Sequence, residues 1–235
     1  MTTRGKRPPT VAFDIEVVGD EWTTLDESTR GYLLERARKK GETAEEAAGK
    51  LSLTLGLGRV VAIAFWNLDE QRGAVLLEGA PSPWCAWPGR NDGAWWFRGD
   101  EKALLTAFWE RIQGYGRMVT FAGRMYDGPV LMVRSALHGV KPTRHLAARD
   151  FQMRGHCDLS EVFAFQGAVR DHYKLDYWCR RFGLESPKST LDGSQVERAY
   201  RAGEIERIGD YCLRDARATG LLYEKVKETL IPLFE

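Results

Sequence analysis

An α/β domain built on a mixed central sheet is the fold class this sequence predicts, and three observations predict it. Short β-branched and aromatic runs crowd the first half of the chain, helical periodicities crowd the second, and a few strand-to-helix crossovers join them. A chain of 235 residues is long enough for one such domain with a sizeable core. Its 43% hydrophobic and 29% charged residues fit an ordinary globular protein, and no apolar run approaches the roughly 18 residues that cross a bilayer.

Residues 1–9, carrying Arg4, Lys6 and Arg7, read as a basic N-terminal tail. A strand rather than an apolar leader follows it, so a cytoplasmic location is expected. "VAFDIEVV" (11–18) is that strand, bounded by Pro8-Pro9 and by Gly19-Asp20. Residues 26 to 51 change character and predict a helical insertion between the first two strands. Leu33, Leu34 and Ala37 recur at helical spacing up to a stop at Gly41, and Thr43 with Glu46 forms a capping-box pattern for a second short helix. "GRVVAIAFWN" (58–67) and "GAVLLEG" (73–79) are two further strands joined by a polar turn.

The segment 80–100, rich in Pro, Gly and Trp, predicts a loop or irregular edge. Asp100 then caps a helix whose apolar stripe is Leu104, Leu105, Phe108, Trp109 and Ile112, with Gly114 as its stop. "RMVTFAG" (117–123) is a short strand, and 129–139 a helix with Pro129 in its first turn. The stretches 158–167, 173–183, 194–203 and 204–230 all read as helices, with Pro232 after the last. Cys85, Cys157, Cys179 and Cys212 show neither C-x-x-C spacing nor a zinc-finger His partner, so reduced thiols are expected. With a net charge of +1, any nucleic-acid partner must be held by a local basic face or by metal ions.

Three acidic motifs carry the chemistry. Residues two apart on a strand share a face, so Asp14 and Glu16 aim their carboxylates into one space, an arrangement suited to the hard oxygen coordination of Mg²⁺ or Mn²⁺. Taken alone, D-x-E reads more readily as the polar half of a solvated strand. Asp127 in "TFAGRMYDGPVL" lies between a strand and a helix, where an acid is often only a cap. Tyr211 and Asp215 in "DYCLRDARAT" are four apart and share a helix face rimmed by Ile208, Cys212, Leu221 and Leu222. An exposed Asp215 paired with Arg214 or Arg217 is the alternative.

In this order and spacing the motifs resemble the DEDD superfamily of 3'-5' exonucleases, in its tyrosine-bearing branch. "FDIEVV", "FAGRMYDGPVL", "HCDLSEVF" and "LDGSQVERAYRAGEIERIGDYCLRDARATGLLY" are similar to the bacterial family of predicted exonucleases related to the proofreading domain of family B DNA polymerases. The similarity runs from about residue 10 to residue 226. It implies a ribonuclease-H-like fold, a mixed central sheet flanked by helices, with residues 10–235 forming a single exonuclease domain and about 21–56 the helical insertion. It further implies two divalent cations, Mg²⁺ or Mn²⁺. Asp14 would bridge both ions, Glu16 and Asp215 would complete the nucleophile-side metal, Asp127 would hold the second through water, and Tyr211 would orient the attacking water. The chain departs from the family at Ala122, where Asn is usual, and at Tyr126, where Phe is usual; neither change removes an implied ligand.

The implied activity is removal of nucleotides from a single-stranded 3' end, with DNA favoured through the link to proofreading. A 3'-trimming exoribonuclease keeps the same chemistry, and a silent exonuclease fold that binds nucleic acid or a protein is a second alternative. A proofreading or repair role would need a separate polymerase, helicase or other nucleic-acid-processing partner. Asp158, with Glu161 three residues on, reads as a helix cap, and His156 as structural. Asp192 and Ser194 in "DGSQV" read as caps of the following helix. Trp84, Trp87, Trp95 and Trp96 could stack on unpaired bases but read first as loop packing against the core, and Arg36, Arg38, Lys39 and Lys40 could track phosphates but read by default as a solvated face.

Overall fold

Strand β1 (Thr10–Gly19) organises the sheet because it is paired along both edges. The computed structural model describes residues 8–148, 153, 155–187 and 191–235, so Arg4, Lys6 and Arg7 of the basic tail lie outside the described residues. On one side β1 runs antiparallel to β2 (Gly58–Asn67), and on the other parallel to β6 (Arg117–Thr120). Beyond β2 come β3 (Arg72–Glu78), β5 (Trp95–Gly99) and β4 (Ser82–Ala86), and beyond β6 comes β7 (His156–Asp158). The seven described strands thus form one mixed sheet in the order β4-β5-β3-β2-β1-β6-β7.

The alternation of β1 divides the molecule into two layers. Val11, Phe13, Ile15 and Val17 face α3 (Glu101–Ile112) and α4 (Asp127–Leu137), packing on Leu104, Phe108, Trp109 and Leu131. Ala12 and Val18 face the opposite layer, dominated by α8 (Ile205–Val226) with its buried Ile208, Cys212, Leu213 and Leu222. Asp14 and Glu16 therefore project toward α8. Glycines let this helix ride close to the sheet: a Cβ on Gly220 would sit 2.7 Å from Trp66 and one on Gly73 2.7 Å from Leu213.

The helical insertion forms as expected, with α1 (Glu27–Lys40) capped by Asp26 and α2 (Ala44–Ala48) carrying the Thr43/Glu46 capping box. A 3-10 turn at Leu51–Leu53 returns the chain to β2 and locks onto the sheet where side chains are missing. A Cβ on Gly58 would lie 2.6 Å from both Ser52 O and Val17 Cγ1, and one on Gly19 2.9 Å from Leu51 Cβ.

Several expectations need correction. Residues 80–100 hold two strands, β4 and β5, at the sheet edge, where Pro83 is tolerated because an edge strand need not donate from every residue. Trp87 and Trp96 stack on each other within the core, Trp84 lies on Phe97 and Arg111, and Trp95 is exposed. Helix α4 begins at Asp127, two residues before Pro129, and His156–Asp158 is a strand that precedes the short α5 (Leu159–Phe163). Helices α6 (Leu175–Arg181) and α7 (Val196–Arg201) are shorter than their periodicity suggested. Among the described residues no helix is long and apolar enough to cross a membrane.

Candidate active site

Five sequence-predicted residues meet at the face of β1 that looks toward α8. Asp14 and Glu16 come from the strand, Asp127 from the first turn of α4, and Tyr211 and Asp215 from one face of α8. Each strand acid is opposed on β2 by a small side chain, Ala64 opposite Asp14 and Ala62 opposite Glu16. A β-bulge follows at Glu16/Val17, where two residues of β2, Val61 and Ala62, both turn to the α8 layer. Glu16 and Asp127 are only 8% and 6% exposed, while Asp14 and Asp215 keep somewhat more contact with solvent.

The concentration of anions is visible in their proton affinities. Burial, followed by the charges of Asp215 and Asp127, holds the carboxyls of Asp14 and Glu16 well above the carboxylate range. Burial likewise lifts Asp127 to about 7, opposed by backbone hydrogen bonds that include one from Ile15 on β1. Tyr211 donates to Asp215, and burial together with that carboxylate keeps its hydroxyl far above its ordinary value, hence protonated. Among the described residues no lysine or arginine pairs with Asp14, Glu16 or Asp127. Buried carboxylates without a cationic partner are costly, and carboxylate oxygens gathered in this way fit a hard divalent cation.

Cys212 is the residue that sequence reasoning missed as part of the site. Its thiol lies 3.3 Å from Asp14 O and 3.7 Å from Asp14 Oδ2, and its sulfur groups with Asp14 and Glu16 oxygens within 4.8 Å. Burial, then the charge of Asp14, pushes this thiol up, so it stays protonated and donates to Asp14. Position 212 read as part of an apolar helix rim, and only its placement opposite Asp14 reveals the contact.

Neighbouring residues hold the turn that delivers Asp127. Asp158 is fully buried and accepts from the N–H groups of Ala122, Arg124 and Ser160 at 2.9, 2.9 and 3.0 Å, so it caps α5 as expected and also anchors the 122–124 turn. Glu161 pairs with Arg124 at 3.1 Å. His156 sits with Nδ1 2.8 Å from Leu146 O and Nε2 2.8 Å from Thr120 Oγ1; burial lowers it to about 4 and leaves it neutral, a structural histidine. Ala122 adopts φ +63°, in the left-handed region where Asn and Gly are at ease. Tyr126 spends its additional hydroxyl on Ser52 O at 2.9 Å, tying the candidate site to the helical insertion.

A cleft of about 800 Å³ opens beside Glu16, between the insertion and the turn at Gly193–Ser194 that Asp192 caps. Trp22, Leu53 and Tyr126 contribute apolar wall, and Glu197 and Arg201 line the side nearest α7.

Residues 53–230 match a family described as predicted 3'-5' exonucleases related to the exonuclease domain of PolB. That span includes Asp127, Tyr211 and Asp215 and begins after β1, so Asp14 and Glu16 stand on their geometry. An uncharacterized protein of Methanocaldococcus jannaschii is 28% identical over 134 residues, 53% of this chain and 73% of that protein. The family B DNA polymerase from the hyperthermophilic archaeon Pyrobaculum calidifontis superposes with a TM-score of 0.60 at 19% identity, over 99% of this chain. The chain spans about a quarter of that polymerase, 26% of its length, and the likeness shows a shared ribonuclease-H-like fold.

Proposed function

Since the chain belongs to the family of predicted 3'-5' exonucleases related to the exonuclease domain of PolB, we propose that it is a metal-dependent 3'-5' exonuclease acting on single-stranded nucleic acid, DNA in preference to RNA. The observation that carries this reading is the convergence of four carboxylates and a tyrosine, from three distant segments, on a space where, among the described residues, no lysine or arginine pairs with Asp14, Glu16 or Asp127. Residues 10–235 act as one exonuclease domain with the insertion at about 21–56. A cytoplasmic setting fits this role, and any polymerase or helicase acts as a separate partner.

Asp14, Glu16, Asp127 and Asp215 would hold two divalent cations, Mg²⁺ or Mn²⁺. Bound there, such ions lower the pKa of water and stabilise both the attacking and the departing oxygens of an in-line displacement. The protein's own groups do the positioning. Tyr211 is protonated and held by Asp215, so its hydroxyl can orient the attacking water but is a poor base. The cleft beside Glu16 is large enough to seat the terminal nucleoside while its phosphate faces the acids. Water adds to phosphorus, the bond to the 3' oxygen of the shortened strand breaks, and a nucleoside 5'-monophosphate departs.

The test is incubation of 5'-labelled single-stranded DNA and RNA with the protein and with Asp14→Ala, in Mg²⁺, Mn²⁺ or EDTA. A ladder shortening from the 3' end, abolished by EDTA and by the substitution, is expected. Equal degradation by the variant overturns the site assignment, and faster loss of RNA than of DNA reassigns the substrate to an exoribonuclease.

A further inference from the structure

The cleft beside Glu16 is itself acidic. Glu16, Asp20, Glu21, Glu45 and Glu197 line it against the one arginine Arg201. Metal ions can draw a single phosphate to the carboxylates, but a longer stretch of phosphodiester chain following this cleft would be repelled. The strand upstream of its terminus therefore needs another path.

The helical insertion supplies one. A second groove, of about 280 Å³, lies between α1 and the segment leading to the 3-10 turn, and Arg36, Lys40 and Lys50 line it with Glu42. Leu53, 69% exposed, lines both this groove and the acidic cleft, so the two are continuous across one side chain. Helix α1 carries Arg30, Arg36, Arg38, Lys39 and Lys40 against Glu27 and Glu35. Basic residues in its last turn complement the helix dipole. The dipole explains neither Arg36, a turn earlier, nor Lys50, which belongs to a different segment and pairs with Glu42 at 3.0 Å. Among the described residues neither Arg36 nor Lys40 is engaged in an ion pair. Tyr32, Arg36 and Lys40 recur every four residues and share one helix face, with the Tyr32 ring 63% exposed, which interleaves an aromatic surface with cations. The groove is also fixed relative to the acids, since the Leu51–Leu53 turn is held by Tyr126 and by the close approaches at Gly19 and Gly58.

We propose that the groove lined by Arg36, Lys40 and Lys50 binds the phosphate backbone of a single-stranded nucleic acid upstream of its 3' end, feeding the terminus past Leu53 into the acidic cleft. This rests on the exonuclease reading, but its test does not depend on catalysis. Binding of a fluorescein-labelled single-stranded oligodeoxynucleotide is followed by anisotropy in Ca²⁺ for the wild type, for the triple variant Arg36→Ala/Lys40→Ala/Lys50→Ala, and for the control Arg207→Ala/Lys225→Ala/Lys227→Ala on α8 and at its C-terminal cap. The groove variant should bind at least about tenfold more weakly at low salt. Its slope of log affinity against log salt should fall by about 2, because each phosphate contact on a single strand carries about 0.7. The control should keep the wild-type slope. An unchanged slope in the groove variant, or an equal loss in the control, overturns the proposal. Wild-type protein that binds through the groove yet releases no nucleotides in Mg²⁺ or Mn²⁺ refutes the exonuclease reading and leaves this inference standing. Circular dichroism melting confirms that each variant is folded.

Discussion

Without divalent ions the acidic site should work against folding, and replacing Asp127 by Asn should measure how strongly. The Asp127 carboxyl is carried from an ordinary 3.8 to about 7, chiefly by burial. Below the ordinary value both folded and unfolded chains are protonated and the group costs nothing. Between there and about 7 the unfolded chain releases its proton while the folded one keeps it, so stability falls as pH rises. Above about 7 the full cost is in place, about 4 kcal/mol at about 1.4 kcal/mol for each tenfold in proton affinity. Integration from pH 5 to pH 8 gives about 2 to 3 kcal/mol of that loss.

His156 titrates against this trend. Lowered to about 4, it adds stability as pH rises toward its ordinary value of 6.5. The difference between wild type and Asp127→Asn cancels that contribution, because His156 is present in both. Thermal unfolding in EDTA should therefore show the Asn variant gaining on the wild type by about 2 to 3 kcal/mol between pH 5 and pH 8. For a chain of this size that is about 5 to 10 °C in Tm. Asp14 and Glu16 feel the charge of Asp127, so its removal relieves them in the same direction. In saturating Mg²⁺ the advantage should disappear, since an ion bound to the acids stabilises the wild type by mass action. A difference between the two proteins that stays constant from pH 5 to pH 8 in EDTA would refute the electrostatic account of the site.

Two further outcomes are expected. Tyr211→Phe should lower turnover about tenfold to a hundredfold while leaving KM and Mg²⁺-dependent stabilisation nearly unchanged, because it removes the hydroxyl proposed to orient water and no carboxylate; single-turnover kinetics would show this, and undiminished turnover would reduce Tyr211 to a packing residue. Ala122→Asn should stabilise the protein by about 0.5 to 1 kcal/mol in urea titration, since Asn accepts the left-handed conformation at φ +63° more readily than Ala and position 122 is partly open to solvent.

Most of what positions the acids could be read from short-range pattern. The alternation of β1 placed Asp14 and Glu16 on one face, the four-residue spacing placed Tyr211 and Asp215 on another, and the caps at Thr43 and Asp100 are local hydrogen bonds that the sequence writes directly. What escaped depends on distant partners or on elements too short to show a period. Strand β7 has three residues, fewer than any alternation needs, and it exists because His156, Cys157 and Asp158 find Met118, Val119 and Thr120 beside them. The Pro- and Trp-rich β4 and β5 form because β3 offers an open edge, a fact stored some twenty residues away. Cys212 looked like any apolar residue on α8, and its contact with Asp14 depends on how closely Gly73 and Gly220 let that helix approach the sheet.

That close approach bears on why β1 can carry the acids at all. Carboxylates that repel one another exert a force tending to separate the elements that hold them, here β1, α4 and α8. An edge strand could relieve it by peeling away. β1 cannot, because β2 and β6 pair it on both sides while Phe13 and Ile15, on the opposite face, are buried against the α3 and α4 layer. Asp127 is pinned to the same strand by the N–H of Ile15, and the turn before it is pinned to β7 by Asp158. The repulsion thus cannot be relieved by moving the elements apart, only by holding protons or by binding a cation. A site on mobile loops would open when empty and lose that difference. The same rigidity explains why the insertion is fastened to the sheet by Tyr126 and by the bare surfaces of Gly19 and Gly58: a strand guided across Arg36 and Lys40 reaches the acids in register only if the guide does not move relative to them.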